Sequence, residues 1–425
     1  MFSSLPTVEA DIDRLIAATR YNDALANMVV GVHNHYKAPE VAHHALYYPA
    51  FDRQIEQLSA LLAASTPPAA ERPASRNTLI IATELYQMGG HSRVVEDFAR
   101  ELESPTIVLT DLFSSYRKAA DHLNWLHDTY PDTPLITLPH RTLWEKCRAL
   151  LLLTQRLQPR NIFYFNHHQD PIAFIGTLSH SGARKTLVHH SDHNPSLGVT
   201  LPGMGHADFT AELAAVCSRE LQVPTKILPL YVPDSGYKAF SPVDADAFSV
   251  VTSGTQVKFA RSGELALQNI AQAVLTSTRG KFFHIGPLED DWQAEIKLHL
   301  QGAGIDAERF VAVGPVASLW QALSVLDAHV YLGSAPVGGG RAAIEAQGCG
   351  YPLAYYRVAD ASSLVAADSI YADKSLGWGT LAELSALLKA MGSQLGRLSA
   401  QARGFYDQRY SRAEFLRVLS ELSSD

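Results

Sequence analysis

The chain has 425 residues, 47% of them apolar and 18% charged, with a formal net charge of −8 at pH 7. That length provides for two or three ordinary domains, the apolar balance excludes a disordered chain, and the acidic sign argues against a dedicated nucleic-acid binder. No stretch reaches the roughly 20 apolar residues of a membrane-spanning helix. The start, MFSSLPTVEADIDRL, lacks the basic and apolar regions of a secretory signal, so a soluble, cytoplasmic protein is expected.

Residues 1–65 read as a helical N-terminal extension, with Ile12, Leu15 and Ile16, then Ile55, Leu58, Leu61 and Leu62, at helical spacing. STPPAAERPAS (65–75) reads as a linker. From Asn77 short apolar runs alternate with amphipathic helices. NTLIIAT (77–83), PTIVLTD (105–111), PLITLPH (134–140), NIFYFN (161–166), KTLVHH (185–190), LAAVCS (213–218) and TKILPL (225–230) read as strands, and HSRVVEDFARELE as a helix. Most of these strands lack polar alternation, as expected where helices cover both faces of a parallel sheet.

LYVPDSGYKAFSPVD (230–244) is a second connection, after which the alternation restarts with FSVVTSG (248–254), KFFHIG (281–286), RFVAVG (309–314), AHVYLGS (328–334) and YPLAYY (351–356). The last segment, YSRAEFLRVLSEL (410–422), is an amphipathic helix with Phe415, Leu416, Leu419 and Leu422 on one face. Cys147, Cys217 and Cys349 are far apart, form no CxxC pair and read as buried thiols in a reducing compartment. The five tryptophans show no stacking pattern and read as packing residues. Two α/β units of Rossmann-like type, 76–235 and 245–400, are therefore expected.

Taken in order, these motifs resemble those of the GT-B glycosyltransferases, especially the glycogen-synthase-like, polysaccharide-building branch. Met88-Gly89-Gly90-His91 stands where that family has its N-terminal glycine loop, His189-His190-Ser191-Asp192 where it has a strand ending in His-Asp, and Ala215-Val216-Cys217-Ser218 where it has a serine-ended strand. Val232-Pro233 and Phe240-Ser241-Pro242 resemble the interdomain crossing. Val251-Thr252-Ser253-Gly254 with Lys258, His284-Ile285-Gly286-Pro287, Gly338-Gly339-Gly340-Arg341 with Glu345, and Gly348-Cys349-Gly350-Tyr351-Pro352 follow the order of the donor-binding motifs. The run of roughly 35 residues that ends at Pro352 is the most specific. Retaining members carry a further Glu eight positions before the one matched by Glu345; here that position is Val337. The short spacing from Gly254 to Lys258 is nearer the inverting, protein-modifying O-linked N-acetylglucosamine type.

The resemblance implies two Rossmann-like domains facing across a cleft, with residues 401–425 crossing back to the first domain. It implies transfer of a sugar from a nucleotide-sugar donor to a hydroxyl of a glycan, lipid-linked glycan or protein. No cofactor other than the nucleotide-sugar substrate and no nucleic acid is expected, and peripheral membrane contact is compatible. Gly338, Gly339 and Gly340 before a helix can bring backbone N–H groups to a phosphate, although a tight strand-to-helix turn needs the same glycines. Lys258 and Arg341, with Arg261 a weaker candidate, would neutralise the diphosphate, and Glu345 would accept from the ribose hydroxyls. Gly254, Gly286 and Gly314-Pro315 would line the donor, the latter pair facing the base. His190, Asp192 and His91 are the candidates for sugar contact or for taking the acceptor proton, against the plainer reading of satisfied polar residues at strand ends. His190-x-Asp192-His193 only partly matches a metal-ligand run, because Val188 stands where a further His belongs, so no metal is expected. An epimerase or hydrolase on the same fold, or a catalytically degenerate nucleotide-binding protein, are the rival readings.

Overall fold

Runs rich in Val, Ile, Phe and Tyr form two parallel sheets in the computed structural model, which describes residues 5–36, 46–67, 78–87, 90–114, 120–139, 141–189, 194–238, 240, 244–358 and 368–423. The chain divides into two compact units, Met1–Leu228 with Ser362–Val365 and Leu416–Asp425, and Pro229–Ala361 with Ala366–Phe415. Most of the proposed linker 65–75 lies outside the described residues.

The first unit opens with three helices, α1 (Leu5–Ala17), α2 (Tyr21–Tyr36) and α3 (Pro49–Ala64). They are not a satellite of the sheet. Ile12, Met28, Phe51 and Ile55 are fully buried in the same apolar core as Ile81, Val108, Leu150 and Phe174. Asp52 on α3 fastens them by accepting from the backbone N–H groups of Gly198 (2.6 Å) and Thr200 (2.8 Å). The sheet elements follow as β1 (Thr78–Ala82), α4 (Gly90–Glu101), β2 (Pro105–Leu109), α5 (Ala120–Thr129), β3 (Leu135–Thr137), α6 (Leu143–Leu157), β4 (Asn161–Phe165), α7 (Ile172–Ile175), β5 (Arg184–His189), β6 (Met204–Asp208), α8 (Ala211–Leu221) and β7 (Thr225–Ile227). All seven strands are parallel, in the order β3-β2-β1-β4-β5-β6-β7. The central strands β1 and β4 are buried at every position, which is why their sequences carry no polar alternation.

One expected strand is a helix. Residues 213–218 lie inside α8, so Ala215-Val216-Cys217-Ser218 does not form the serine-ended strand of the resemblance. A short apolar run fits a buried strand or a helix equally well, and here Thr210 decides by capping the helix, its hydroxyl accepting from Leu213 N–H. The strand that stands in this place is β6, whose MGHAD sequence has no strand propensity of its own and owes its form to β5 and β7 on either side.

The second unit contains β8 (Val250–Ser253), α9 (Leu267–Ser277), β9 (Phe282–Ile285), α10 (Asp290–Gly302), β10 (Phe310–Gly314), α11 (Leu319–Val325), β11 (Val330–Leu332), α12 (Gly340–Cys349), β12 (Leu353–Tyr356), β13 (Gly377–Trp378), α13 (Leu381–Met391) and α14 (Leu395–Arg409), with the start of α15 (Arg412–Ser423). Its six strands run parallel in the order β10-β9-β8-β11-β12-β13. The end of α15 belongs to the first unit, where Glu421 pairs with Lys226 of β7 at 2.8 Å. Cys147, Cys217 and Cys349 are all free and buried, and Trp292, Trp320 and Trp378 are packed in the core. Among the described residues no helix is long and apolar enough to cross a membrane.

Candidate functional site

Both sheets reverse their strand order once, between β1 and β4 in the first unit and between β8 and β11 in the second. Adjacent connections leave such a point in opposite directions, so a crevice opens at the carboxyl ends of the strands. The two crevices are furnished very differently.

In the second unit the chain leaves β8 through Gly254 and a single 3-10 turn, Gln256–Lys258, which swings Lys258 back over the sheet edge. Beyond β11 the loop to α12 pairs with that segment, Phe259 bridging to Pro336 and Val337 N–H donating to the Lys258 carbonyl (3.3 Å). The Lys258 ammonium thereby lies 3.5 Å from the carbonyl oxygen of Gly338. A Cβ on Gly339 would come within 2.7 Å of that ammonium. Gly339 is the N-cap of α12 and offers no side chain to its first N–H groups, which leaves them for an anion. Burial lowers the Lys258 pKa from the ordinary lysine value. An arriving phosphate would reverse that shift, because an opposite charge favours the ammonium.

Beside this corner is a cavity of about 550 Å³, lined among others by Gln256, Gly286, Pro287, Gln293, Gly314 and Pro315. Gly286 has no substitute there. Its φ is +133°, and a Cβ would meet the Gly254 carbonyl oxygen at 2.2 Å. The Gly286 N–H donates to the Gly314 carbonyl (2.9 Å), holding the ends of β9 and β10 together as one wall. Across the reversal itself, the Ser253 hydroxyl and the Tyr331 phenol lie 2.6 Å apart. Sequence reasoning missed this pair and Gln256, since a lone Ser, Tyr or Gln at a strand end carries no spacing signal.

Arg341 and Glu345 are brought to each other rather than standing apart. The Arg341 Nε donates to Glu345 Oε1 at 3.0 Å, while Oε2 accepts from the Trp320 backbone N–H at 3.2 Å. Arg341 Nη1 also reaches the Tyr231 carbonyl at 3.5 Å. Arg261 is taken up elsewhere, by Asp291 (2.6 Å), Glu295 (2.8 Å) and Glu289 (3.5 Å), which corrects its reading as a phosphate cation. Val337 is 48% exposed on the loop before α12.

At the first unit's reversal point the crevice is filled with ionisable side chains. His91, in the first turn of α4, donates from Nε2 to the Phe165 carbonyl at the end of β4 (2.8 Å). That bond makes Nδ1 the lone-pair nitrogen, and burial lowers the pKa, so the ring is held neutral. Asp170 is fully buried and accepts from the hydroxyls of Thr83 (2.7 Å) and Thr110 and from Ile172 N–H (2.9 Å). Lys146 of α6 is 1% exposed, donating to the carbonyls of Thr110 and Asp111, with the Asp111 carboxylate at 3.7 Å. His167 is pushed down to about 4 by burial and by the nearby His91 and His33. Nothing in the sequence marks Lys146, because a lysine on an amphipathic helix ordinarily reaches solvent. His190, Asp192 and His193, together with Met88 and Gly89, lie outside the described residues.

No protein-family model matches the chain, and no curated protein matches it in sequence. Solved structures do match in fold. The glycosyltransferase of Rickettsia africae aligns with a TM-score of 0.59 at 11% identity over 82% of this chain and 98% of that one. Anabaena HepE, in complex with UDP and glucose, aligns with a TM-score of 0.57 at 13% identity over 83% and 100%. A mutant O-GlcNAc transferase of Thermobaculum terrenum covers 98% of this chain and 82% of its own length, with a TM-score of 0.51 at 16% identity. With its two parallel sheets of like topology, the chain has the GT-B glycosyltransferase fold.

Proposed function

We propose that this GT-B chain is a glycosyltransferase that binds a nucleotide-sugar in its second unit and passes the sugar to a hydroxyl acceptor, a glycan, glycolipid or protein, without a metal in the transfer step. The observation that carries the reading is the corner where Lys258, Gly338–Gly340 and the N-terminus of α12 converge beside the Gly286–Gly314 cavity. The base enters the cavity, against Gly286 and Pro315. The diphosphate lies at the α12 N-terminus, where N–H groups and the Lys258 ammonium take up the charge that grows on the leaving nucleotide. These cationic and dipolar groups serve the purpose a divalent ion serves elsewhere. Glu345, in the second turn of α12, accepts from the ribose hydroxyls, as a carboxylate can. Arg341 holds that carboxylate in place. On the acceptor side the reading assigns proton transfer to His91, His190 and Asp192; for His91 the neutral ring with a lone pair on Nδ1 is the form a base requires.

The reading is supported by the fold of structures that are glycosyltransferases, one of them holding UDP and glucose. Thermal unfolding in the presence of UDP, GDP, ADP, CMP or dTDP tests it. One nucleotide should stabilise the protein, by about 2.7 kcal/mol at a hundredfold excess over its dissociation constant. Lys258→Ala should weaken that nucleotide roughly tenfold, the loss of about one charge-assisted contact. No stabilisation by any of the five would end the donor-site assignment.

A degenerate, nucleotide-binding relative is the second reading, favoured by Val337 and by the involvement of Glu345 with Arg341. It predicts the same stabilisation, with no release of nucleotide from any nucleotide-sugar in the presence of acceptors.

A further inference from the structure

The far half of the first sheet and α8 bring together four side chains that the proposed transfer does not use. In the register of β5 against β6, Leu187 lies beside His206 and His189 beside Asp208. Laterally paired residues of parallel strands share a face, as do residues two apart on one strand. His189, His206 and Asp208 therefore project from one face, and Cys217 of α8 joins them. One nitrogen from each histidine and the Cys217 sulfur all lie within 4.8 Å of one another. His189 Nε2 is 2.9 Å from His206 Nδ1, and His189 Nδ1 is 3.5 Å from a carboxylate oxygen of Asp208. The four residues are at most 8% exposed.

From this convergence we propose that His189 Nε2, His206 Nδ1 and Cys217 Sγ bind one zinc ion, with Asp208 orienting His189 from behind. With Zn–N near 2.0 Å and Zn–S near 2.3 Å, tetrahedral geometry sets nitrogen–nitrogen separations of about 3.3 Å and nitrogen–sulfur separations of about 3.5 Å, inside the 4.8 Å that encloses the three atoms. The histidine pair need open by only about 0.4 Å to reach that geometry. A set of two imidazoles and one thiolate suits zinc over magnesium or calcium, which take oxygen ligands. The carboxylate behind His189 is the usual partner of a metal-bound imidazole, fixing Nδ1–H and leaving Nε2 to the metal.

Binding is an acid–base event with no change of oxidation state. The Cys217 S–H proton leaves to solvent as the thiolate binds. The proton His206 places on Nδ1 to reach His189 moves to Nε2, which frees the Nδ1 lone pair. Without a metal His189 and His206 hydrogen-bond to each other, with the Asp208 carboxylate 3.5 Å from His189 Nδ1, and that arrangement has no need of a sulfur. Cys217 makes a site of it. The ion would join β5, β6 and α8, three segments that share no such tie in sequence.

The test uses the whole protein, stripped with a chelator and titrated with cobalt(II) as a spectroscopic stand-in, then with zinc. Expected are one equivalent of cobalt, a thiolate-to-cobalt charge-transfer band in the near ultraviolet, tetrahedral bands in the visible, and loss of both on adding zinc. Cys217→Ser should abolish the charge-transfer band and weaken zinc at least tenfold. Asp208→Asn should keep the band while weakening zinc by roughly 10- to 100-fold, the effect of removing a partner behind a ligand. Cys147→Ala and Cys349→Ala should keep the band, which assigns it to Cys217 even if the serine variant fails to fold. Wild-type protein with an intact circular dichroism spectrum and no such band would overturn the proposal, as would a band that survives Cys217→Ser and vanishes in another cysteine variant.

Discussion

The two reversal points share a topology and differ in what stands at them. In the second unit the crevice is built of main chain, with glycines at 254, 286, 314 and 338–340 and the ammonium of Lys258 laid against them. In the first it is built of side chains, Asp170, Lys146, Asp111 and His91, most of them buried and committed to partners. The difference separates two physical tasks. A phosphate site needs N–H groups that a ligand can approach closely, and side chains there only obstruct. A crowded crevice of paired ionisable groups instead fixes orientation and protonation, and loses stability when any member is removed.

That contrast can be broken most violently at Asp170. Asp170→Ala leaves the Thr83 and Thr110 hydroxyls without their acceptor and takes one of the nearby carboxylates from Lys146, at a cost on the order of 3 kcal/mol. Urea unfolding should show the loss, with nucleotide affinity of the folded fraction unchanged. Equal loss of affinity would mean that the two crevices are not independent. Acid is a lever of similar size. His167 has a folded value of about 4 against an ordinary 6.5, so the folded protein binds fewer protons than the unfolded chain between these limits. Its contribution is whole above pH 6.5 and is lost as pH falls toward 4, on the order of 3 kcal/mol. His284 of β9, also held near 4 by burial, acts with the same sign. The part belonging to His167 is therefore isolated by comparing urea midpoints of wild type and His167→Gln at pH 7 and pH 4.5.

Smaller changes sharpen the main-chain side of the comparison. Gly339→Ala places a Cβ against the tip of the flexible Lys258 side chain, not against backbone. It should cost little stability and weaken nucleotide about fivefold, or about 1 kcal/mol, by moving the ammonium; calorimetric titration reads this directly. Unchanged affinity would remove Lys258 from the donor site. Arg261→Ala is expected to leave nucleotide affinity within about twofold, because the guanidinium is already shared among Asp291, Glu295 and Glu289 on the surface.

Most strands and the restart of the fold after residue 230 were legible, because runs such as NIFYFN and FSVVTSG carry β-branched and aromatic residues without alternation. The exceptions have local causes. LAAVCS was too short to show its period, and MGHAD forms a strand only because β5 and β7 flank it. The two-residue β13 is too brief to leave any pattern. In the site, glycines before a helix were visible as composition, and Lys258 was found through its distance from Gly254. Arg341 and Glu345 are four positions apart on α12, a spacing that brings two side chains together, whereas the bonds of Arg261 to three acids depend on where α10 and its N-cap place their carboxylates, which no linear spacing discloses. The same holds for His189, His206 and Cys217, which adjacent strands and a covering helix bring together across 28 positions of sequence.

The bare-backbone corner of the second unit has a consequence for how this protein can change over time. A surface made of N–H and C=O groups is encoded mainly by what is withheld, a few positions that must carry no side chain. The letters around them can drift freely while the groups that meet a ligand stay the same. Ancestry in such a molecule outlasts its spelling, and is kept in the path of the chain.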